Sequence, residues 1–130
     1  MQTAKFRILC VDHNDDTRFI VSTLLKQSDY AAVTANSIRD ALRLAEQQRF
    51  DLYILDQVLP DGAGADLCKT LRAFNRHAPV IFYAEDASEF DRQHATRSGA
   101  QGYEVKPNVS GLLNTVHRLL GVKKICISIA

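Results

Sequence analysis

Three charged side chains are placed where they could do chemistry together. Asp12, Asp56 and Lys106 each come directly after a segment that we predict to be a strand. Two carboxylates can hold a hard divalent cation, the cation and the ammonium group can neutralise phosphoryl oxygens, and one carboxylate can attack phosphorus. A single acid after a strand often only caps the next element, but three such groups at matching strand ends indicate a phosphoryl-transfer site.

The elements that would position these groups alternate along the whole chain. Short apolar segments predict five strands, and the amphipathic segments between them predict five helices. The strands are predicted at residues 6–11, 31–35, 52–55, 80–83 and 102–105, and residues 59–64 are predicted to form a loop. In the first helix, capped by Asp15 or Asp16, we expect Phe19, Ile20 and Leu24 on the buried face, with Val21 and Leu25 as further candidates.

Strands that alternate with helices are predicted to pair in parallel, because a helical crossover returns each strand in the same direction. The fold class is therefore α/β, with a doubly wound five-stranded parallel sheet and helices on both faces. In such a sheet the ligand site lies beyond the carboxyl ends of the strands. This is the edge that Asp12, Asp56 and Lys106 would share.

The bulk composition narrows the class of protein. The chain has 130 residues, of which 46% are hydrophobic and 24% charged, and this composition favours one ordinary globular domain. The formal net charge is +1, so the chain has no strong overall charge that would attract nucleic acids or membranes. The first eleven residues lack a signal-peptide pattern, so we expect a cytoplasmic protein. The three cysteines, Cys10, Cys68 and Cys126, form no Cys-x-x-Cys pair and are predicted to be reduced thiols.

Taken in order, five landmarks resemble the receiver domains of two-component systems, the family of the chemotaxis regulator CheY. They are residues 8–12, 51–56, 59–64, 79–81 and 99–107. The resemblance implies a CheY/flavodoxin-like sheet of strand order 2-1-3-4-5, a receiver domain over residues 1–122 and a tail over 123–130. It further implies that Asp56 accepts a phosphoryl group from a histidine kinase or phosphotransfer protein. The chain would then be no enzyme beyond self-catalysed phosphoryl transfer and autodephosphorylation.

The same resemblance assigns roles within the site. It implies that Mg²⁺ is bound by Asp12, by Asp56 and by the backbone carbonyl of Val58. It also implies that Lys106 pairs with phosphoryl oxygens and that a cis Lys106-Pro107 peptide bond directs this lysine inward. Tyr103 matches the aromatic switch position of the family, where the ring turns inward on activation.

One departure from the family concerns the metal. Where the family has a second acid after the first strand, this chain has His13. Imidazole is a poor substitute for a hard oxygen ligand, so we expect weaker Mg²⁺ binding and tolerance of Mn²⁺. The alternative is that His13 only faces solvent at the start of a helix.

A second departure concerns the read-out of phosphorylation. The family usually has a serine or threonine where this chain has Ala84, and a small residue where it has Glu85. Without the hydroxyl the phosphoryl group loses a hydrogen bond of about 1.5–3 kcal/mol. Glu85 would either repel phosphate or pair with Lys106 at rest. We therefore expect slower phosphorylation and weakened switching through Tyr103.

Two other classes of function stay open. The chain could be a pseudo-receiver that binds a partner protein without phosphorylation, an alternative supported by His13, Ala84 and Glu85. An enzyme of the same architecture is less favoured, because a flavodoxin needs a hydroxyl-rich phosphate loop and an Asp-x-Asp phosphatase needs an acid at Val58. We expect an unknown downstream protein partner, no direct contact with nucleic acid or membrane, and a monomer or weak homodimer.

Overall fold

The computed structural model describes residues 5–86 and 88–121. Seven strands and five helices lie in this part of the chain, in the order β1 (Arg7–Val11), α1 (Asp15–Gln27), β2 (Ala31–Ala35), α2 (Ile38–Gln47), β3 (Leu52–Leu55), β4 (Val58–Leu59), β5 (Gly62–Ala63), α3 (Gly64–Phe74), β6 (Val80–Ala84), α4 (Glu89–Arg97), β7 (Gly102–Val105) and α5 (Val109–Leu120).

Five of the strands form the predicted parallel sheet, in the order β2-β1-β3-β6-β7. Numbered among themselves these strands have the order 2-1-3-4-5, so the predicted fold class and topology are confirmed. The central strands β1, β3 and β6 are apolar on both faces and almost wholly buried. A parallel sheet covered by helices on both sides requires this pattern.

Two hydrophobic clusters, one on each face, fix the sheet between the helices. On one face β-strand residues pack with α2, α3 and α4, represented by Ala41, Leu71 and Ala95. On the other face they pack with α1 and α5, represented by Val21 and Leu112. With both faces covered, polar groups of the sheet reach solvent only at its edges and ends.

The predicted buried face of α1 is wrong in part. Val21 and Leu25 are buried, whereas Phe19 is 71% exposed and Ile20 is 47% exposed. Positions 21 and 25 are one helical turn apart and point together at the sheet, which leaves residues 19 and 20 facing away. The cap also differs: Asn14, rather than Asp15 or Asp16, accepts the hydrogen bond from the Thr17 amide.

The predicted loop at residues 59–64 is in fact more ordered. Strands β4 and β5 form an antiparallel hairpin that pairs Val58 with Ala63 and Leu59 with Gly62. Gly64 begins α3 there, and a side chain at that position would collide with the carbonyl oxygen of Asp56. The glycine therefore allows α3 to start directly against the segment that carries Asp56.

The cysteines and the predicted tail, taken together, lie only partly within the described residues. Cys10 and Cys68 are buried free thiols, and Cys126 and the predicted tail lie outside the described residues. The division at residue 122 thus stays a prediction. Within the described part, none of the helices combines the length and apolar character needed to cross a bilayer.

Candidate functional site

The carboxyl edge of the sheet brings Asp12, Asp56 and Lys106 together. Strands β1 and β3 are neighbours, with Val11 opposite Leu55, so the residues that follow them lie side by side. Lys106 follows β7, and its long side chain places Nζ 2.9 Å from Asp12 Oδ2 and 3.3 Å from Asp56 Oδ1. The predicted convergence of the three charged groups is present in the structure.

Burial makes these charges interact strongly. Asp12 is 2% exposed and Asp56 is 4% exposed. Burial raises the pKa of Asp12 above its usual range, against the hydrogen bonds from the Asn14 amide and Lys106. Burial also acts to raise the pKa of Asp56, but the hydrogen bond from His13 and the charge of Lys106 outweigh it and hold that pKa below the usual value. The site therefore favours an ionised Asp56, the form that can attack phosphorus.

Lys106 keeps its positive charge because two carboxylates lie beside it. Burial acts to lower the pKa of Lys106, and the hydrogen bond and charge of Asp12, helped by Asp56, raise it above the usual value instead. Within the described chain Lys106 forms its ion pairs with these two carboxylates, so the expected resting pair with Glu85 is not formed. Glu85 itself is exposed.

His13 contacts the candidate phospho-acceptor directly. Its Nδ1 atom lies 2.5 Å from Asp56 Oδ2, and its backbone amide lies 3.3 Å from the same oxygen. Because an ionised carboxylate can only accept, Nδ1 carries the proton in this hydrogen bond. The ring is 47% exposed, so His13 is partly solvated, but it does not merely face solvent.

Asp12, His13 and Asp56 form a group that fits a divalent cation. One potential ligand atom from each lies within 4.8 Å of the others. Two carboxylates suit Mg²⁺, while an imidazole nitrogen as the third donor suits a borderline metal better and can coordinate only when it does not carry the proton that is donated to Asp56. Asp15 does not supply the absent second acid, because its carboxylate pairs with Arg18 on α1. Val58 lies two residues beyond Asp56 in β4 of the hairpin.

The positions expected to read the phosphoryl group lie on β6 and β7. Ala84 is fully buried at the end of β6. The Tyr103 hydroxyl donates to the carbonyl oxygen of Asp86 at 2.8 Å, and its ring is nearly parallel to that of Phe82 at 6.4 Å between centroids. The guanidinium of Arg92 lies 5.0 Å from the Tyr103 ring centroid. A cavity of about 230 Å³ adjoins this ring and is lined by Val58, Ala63, Ala65, Phe82, Ala95 and others.

Sequence reasoning missed two residues that shape the site. The Asn14 amide donates to Asp12 Oδ1 at 2.9 Å, and Asn14 also caps α1. Asn is a strong N-cap residue, so this signal was present in the sequence. Asp61 accepts hydrogen bonds from the amides at the start of α2, more than twenty residues earlier. No local pattern indicates that contact.

Comparison with known proteins agrees with this geometry. Residues 8–117 match the response regulator receiver domain family. The alkaline phosphatase synthesis transcriptional regulatory protein PhoP of Bacillus subtilis is 33% identical over 78% of the chain, which covers 42% of that protein. The structure of the Vibrio cholerae chemotaxis protein CheY4 is 32% identical, with a TM-score of 0.85 over 89% of this chain and 99% of that chain.

A further structure holds a metal. The receiver domain of the Pseudomonas aeruginosa sensor histidine kinase PA1611, with magnesium coordinated in its active-site cleft, is 27% identical. Its TM-score is 0.81 over 91% of this chain and 99% of that chain. The chain spans less than half the length of PhoP and of several other curated relatives.

Receiver domains bind Mg²⁺ at an acidic site, interact with histidine kinases or phosphotransfer proteins, and are generally not true enzymes. The matched residues, the sheet order and the two acids with their lysine agree on one assignment: this chain belongs to the response regulator receiver domain family of two-component systems.

Proposed function

We propose that Asp56 accepts a phosphoryl group from the phosphohistidine of a histidine kinase or phosphotransfer protein. The observation that carries this proposal is the buried Asp56 carboxylate, held 3.3 Å from Lys106 at the carboxyl edge of the sheet and with its pKa lowered below the usual value. The chain then signals through its surface to a downstream protein in the cytoplasm, as a monomer or weak homodimer, without contacting nucleic acid itself.

The contacts of Asp56 indicate how its oxygens divide the work. Oδ1 accepts hydrogen bonds from the Gln57 amide at 2.9 Å and from Lys106. Oδ2 accepts from the amide and the ring of His13, and this ring is partly solvated. If the ring swings away, Oδ2 attacks phosphorus, the bond between phosphorus and the donor imidazole nitrogen breaks, and that nitrogen takes a proton. Lys106 stays in place to pair with a phosphoryl oxygen.

We propose that the metal supporting this step is Mg²⁺, bound weakly, and that Mn²⁺ also serves. Asp12, Asp56 and the Val58 carbonyl would hold the cation, and His13 would be a poor fourth ligand because imidazole is a softer donor than an oxygen. When bound, a divalent cation supplies charge neutralisation for the phosphoryl oxygens. The magnesium in the active-site cleft of the PA1611 receiver supports this assignment.

Replacing His13 by aspartate tests the metal assignment. The His13→Asp variant restores a second acid, so its Mg²⁺ affinity should rise at least about tenfold while its preference for Mn²⁺ over Mg²⁺ falls. Isothermal titration with each metal measures both affinities. His13→Gln breaks the contact with Asp56 without adding an acid, so it should leave Mg²⁺ affinity low. Equal Mn²⁺-to-Mg²⁺ ratios in wild type and His13→Asp would contradict the assignment.

The acceptor role is tested with acetyl phosphate and either Mg²⁺ or Mn²⁺. Intact mass and peptide mapping should find one phosphoryl adduct, on Asp56, and the Asp56→Asn variant should show none. Formation should be slower in wild type than in His13→Asp, because the ring must first leave Oδ2. Absence of any adduct with both metals, or an adduct on Asp56→Asn, would exclude Asp56 as the acceptor.

A second candidate function is a pseudo-receiver that binds its partner without phosphorylation. It is favoured by two observations: the His13 ring occupies one oxygen of Asp56, and the buried Ala84 offers no hydroxyl to a phosphoryl group. Once a partner is captured, wild type and Asp56→Asn should be compared with and without phosphodonor. Equal binding in all four conditions supports the pseudo-receiver, and donor-dependent binding by wild type alone supports the phospho-acceptor.

A further inference from the structure

Asp61 connects the hairpin beside the site to a distant helix. It lies in the turn between β4 and β5, and its carboxylate accepts the Ile38 amide at 2.9 Å and the Arg39 amide at 3.0 Å. These two backbone hydrogen bonds lower the pKa of Asp61 below its usual value. An anion beside the first amides of a helix also interacts favourably with the helix dipole.

Helix α2 does not need Asp61 for its ordinary N-cap. Ser37 fills that role, since its hydroxyl accepts the Asp40 amide at 3.1 Å. The first four amides of a helix have no partners within the helix, and a single cap satisfies only part of them. Asp61 accepts hydrogen bonds from two further amides of this first turn, so its contact links the hairpin to α2 in addition to capping the helix.

The hairpin is anchored in the core by the buried Leu59, and its turn is held by contacts with α2. Its ladder consists of two residue pairs, and an isolated two-stranded hairpin is marginally stable at best. It is closed by the Gly64 amide, which donates to the Gln57 carbonyl at 2.9 Å. Gly62 packs against α2 so closely that a Cβ there would lie 2.9 Å from Ile38 Cδ1. Asp61 and Gly62 thus hold the turn against the start of α2, the first by hydrogen bonds and the second by close packing.

We propose that Asp61 is a positioning residue, which holds the hairpin on α2 and thereby fixes the backbone at Gln57 and Val58 directly after the phospho-acceptor. The step from hairpin to metal rests on the proposed function, in which the Val58 carbonyl is a divalent-cation ligand. A loosened turn would let that carbonyl move relative to Asp12 and Asp56. The cation would then bind more weakly although its side-chain ligands are unchanged.

The chain offers a matched control for this proposal. Asp61→Ala and Ser37→Ala each remove a cap from the same end of α2, but only the first releases the hairpin. Hydrogen exchange of the peptide covering residues 56–64 should be faster in Asp61→Ala by about fivefold, the factor typical for loss of a helix cap. Ser37→Ala should leave this peptide unchanged while it speeds exchange at the start of α2.

Metal titration adds a read-out that loss of helix stability alone would not change. Mn²⁺ affinity should fall several-fold in Asp61→Ala and stay at the wild-type value in Ser37→Ala. Unchanged exchange at residues 56–64 in Asp61→Ala, or equal effects of both variants, would overturn the positioning role. If wild type forms no Asp56 adduct, the proposed function fails separately, and the exchange comparison still decides the role of Asp61.

Discussion

Replacing Lys106 by methionine removes an ammonium group that bridges two buried carboxylates. The lysine side chain is 11% exposed, and its Nζ atom lies 2.9 Å from Asp12 and 3.3 Å from Asp56. At an effective dielectric constant of about 20, these separations correspond to attractions of about 6 and about 5 kcal/mol. Desolvation of the buried ions, several kcal/mol each, offsets most of that gain.

The net effect of breaking such a group is nevertheless large. Removal of one partner of a buried ion pair costs about 3–5 kcal/mol, because the other charge is left buried and uncompensated. Here two carboxylates would lose their lysine, and they would repel each other. We therefore expect Lys106→Met to lower the free energy of unfolding at pH 7 by about 3–5 kcal/mol, a large share of the stability of a typical domain.

The loss should depend on pH in a defined direction. The pKa of Lys106 is raised in the fold, so its contribution is present below its ordinary pKa of about 10.4 and disappears as the pH rises through the folded value. The pKa of Asp56 is lowered, so its contribution is present above about pH 3.9 and is lost as the pH falls through the folded value. The deficit of the variant should thus be large at pH 7 and smaller at pH 3, below the ordinary pKa of Asp56.

Urea unfolding followed by circular dichroism measures this deficit. Wild type, Lys106→Met, Asp12→Asn and the double variant should be compared at both pH values. The double variant should recover part of the loss, because it carries one carboxylate without its lysine instead of two. A deficit below about 1 kcal/mol at pH 7, or the same deficit at both pH values, would refute the electrostatic account of the site.

Three further outcomes are expected. Ala84→Ser supplies a hydroxyl that can hydrogen-bond a charged phosphoryl oxygen, so the equilibrium constant for switching on phosphorylation should rise about 10–100-fold. Phosphodonor should then shift the NMR signals of Tyr103 more in this variant than in wild type, and an equal shift in both proteins would contradict this. Burial raises the pKa of Cys10 to about 12, so iodoacetamide should modify Cys10 at pH 8 only after unfolding, and equal rates in folded and unfolded protein would contradict this. Arg72 donates to the carbonyl oxygens of Asn75, Ala78 and Gly99, so Arg72→Met should lower the free energy of unfolding by about 2–4 kcal/mol; a loss below about 1 kcal/mol by urea titration would show that solvent replaces these bonds.

The sheet could be predicted from sequence because its strands satisfy two demands at once. A central parallel strand must be apolar on both faces, so β3 and β6 appear in the sequence as unbroken apolar segments. Helix α1 is different, because its apolar residues are partly consecutive and partly spaced by one helical turn, so the sequence does not define a single buried face. Phe19 and Ile20 are as apolar as Val21 and Leu25, and only packing against the sheet decides which pair is buried.

The site divides in the same way. Asp12, Asp56 and Lys106 could be predicted to meet, because the carboxyl ends of parallel strands share an edge and the order of elements fixes which residues follow them. The contact between His13 and Asp56 depends on the rotamer of one side chain and the path of a loop. The bond from Asp61 to α2 depends on how a hairpin folds back over more than twenty residues. Neither contact has a periodic or local signal in the sequence, so only the three-dimensional structure shows it.

His13 and Ala84 concern two separate steps at the site. His13 contacts the oxygen of Asp56 that would attack phosphorus, so in the proposed function we expect it to affect how fast the phosphoryl group is transferred and which metal assists. Ala84 lies buried at the end of β6 with a methyl group that cannot hydrogen-bond, so in the proposed function we expect it to affect the conformational response after phosphorylation. A receiver with both residues would therefore be slow to load and weak in response, and repairing one should not repair the other. That independence separates the two proposed functions, because a pseudo-receiver would bind its partner equally well whichever of the two residues is changed.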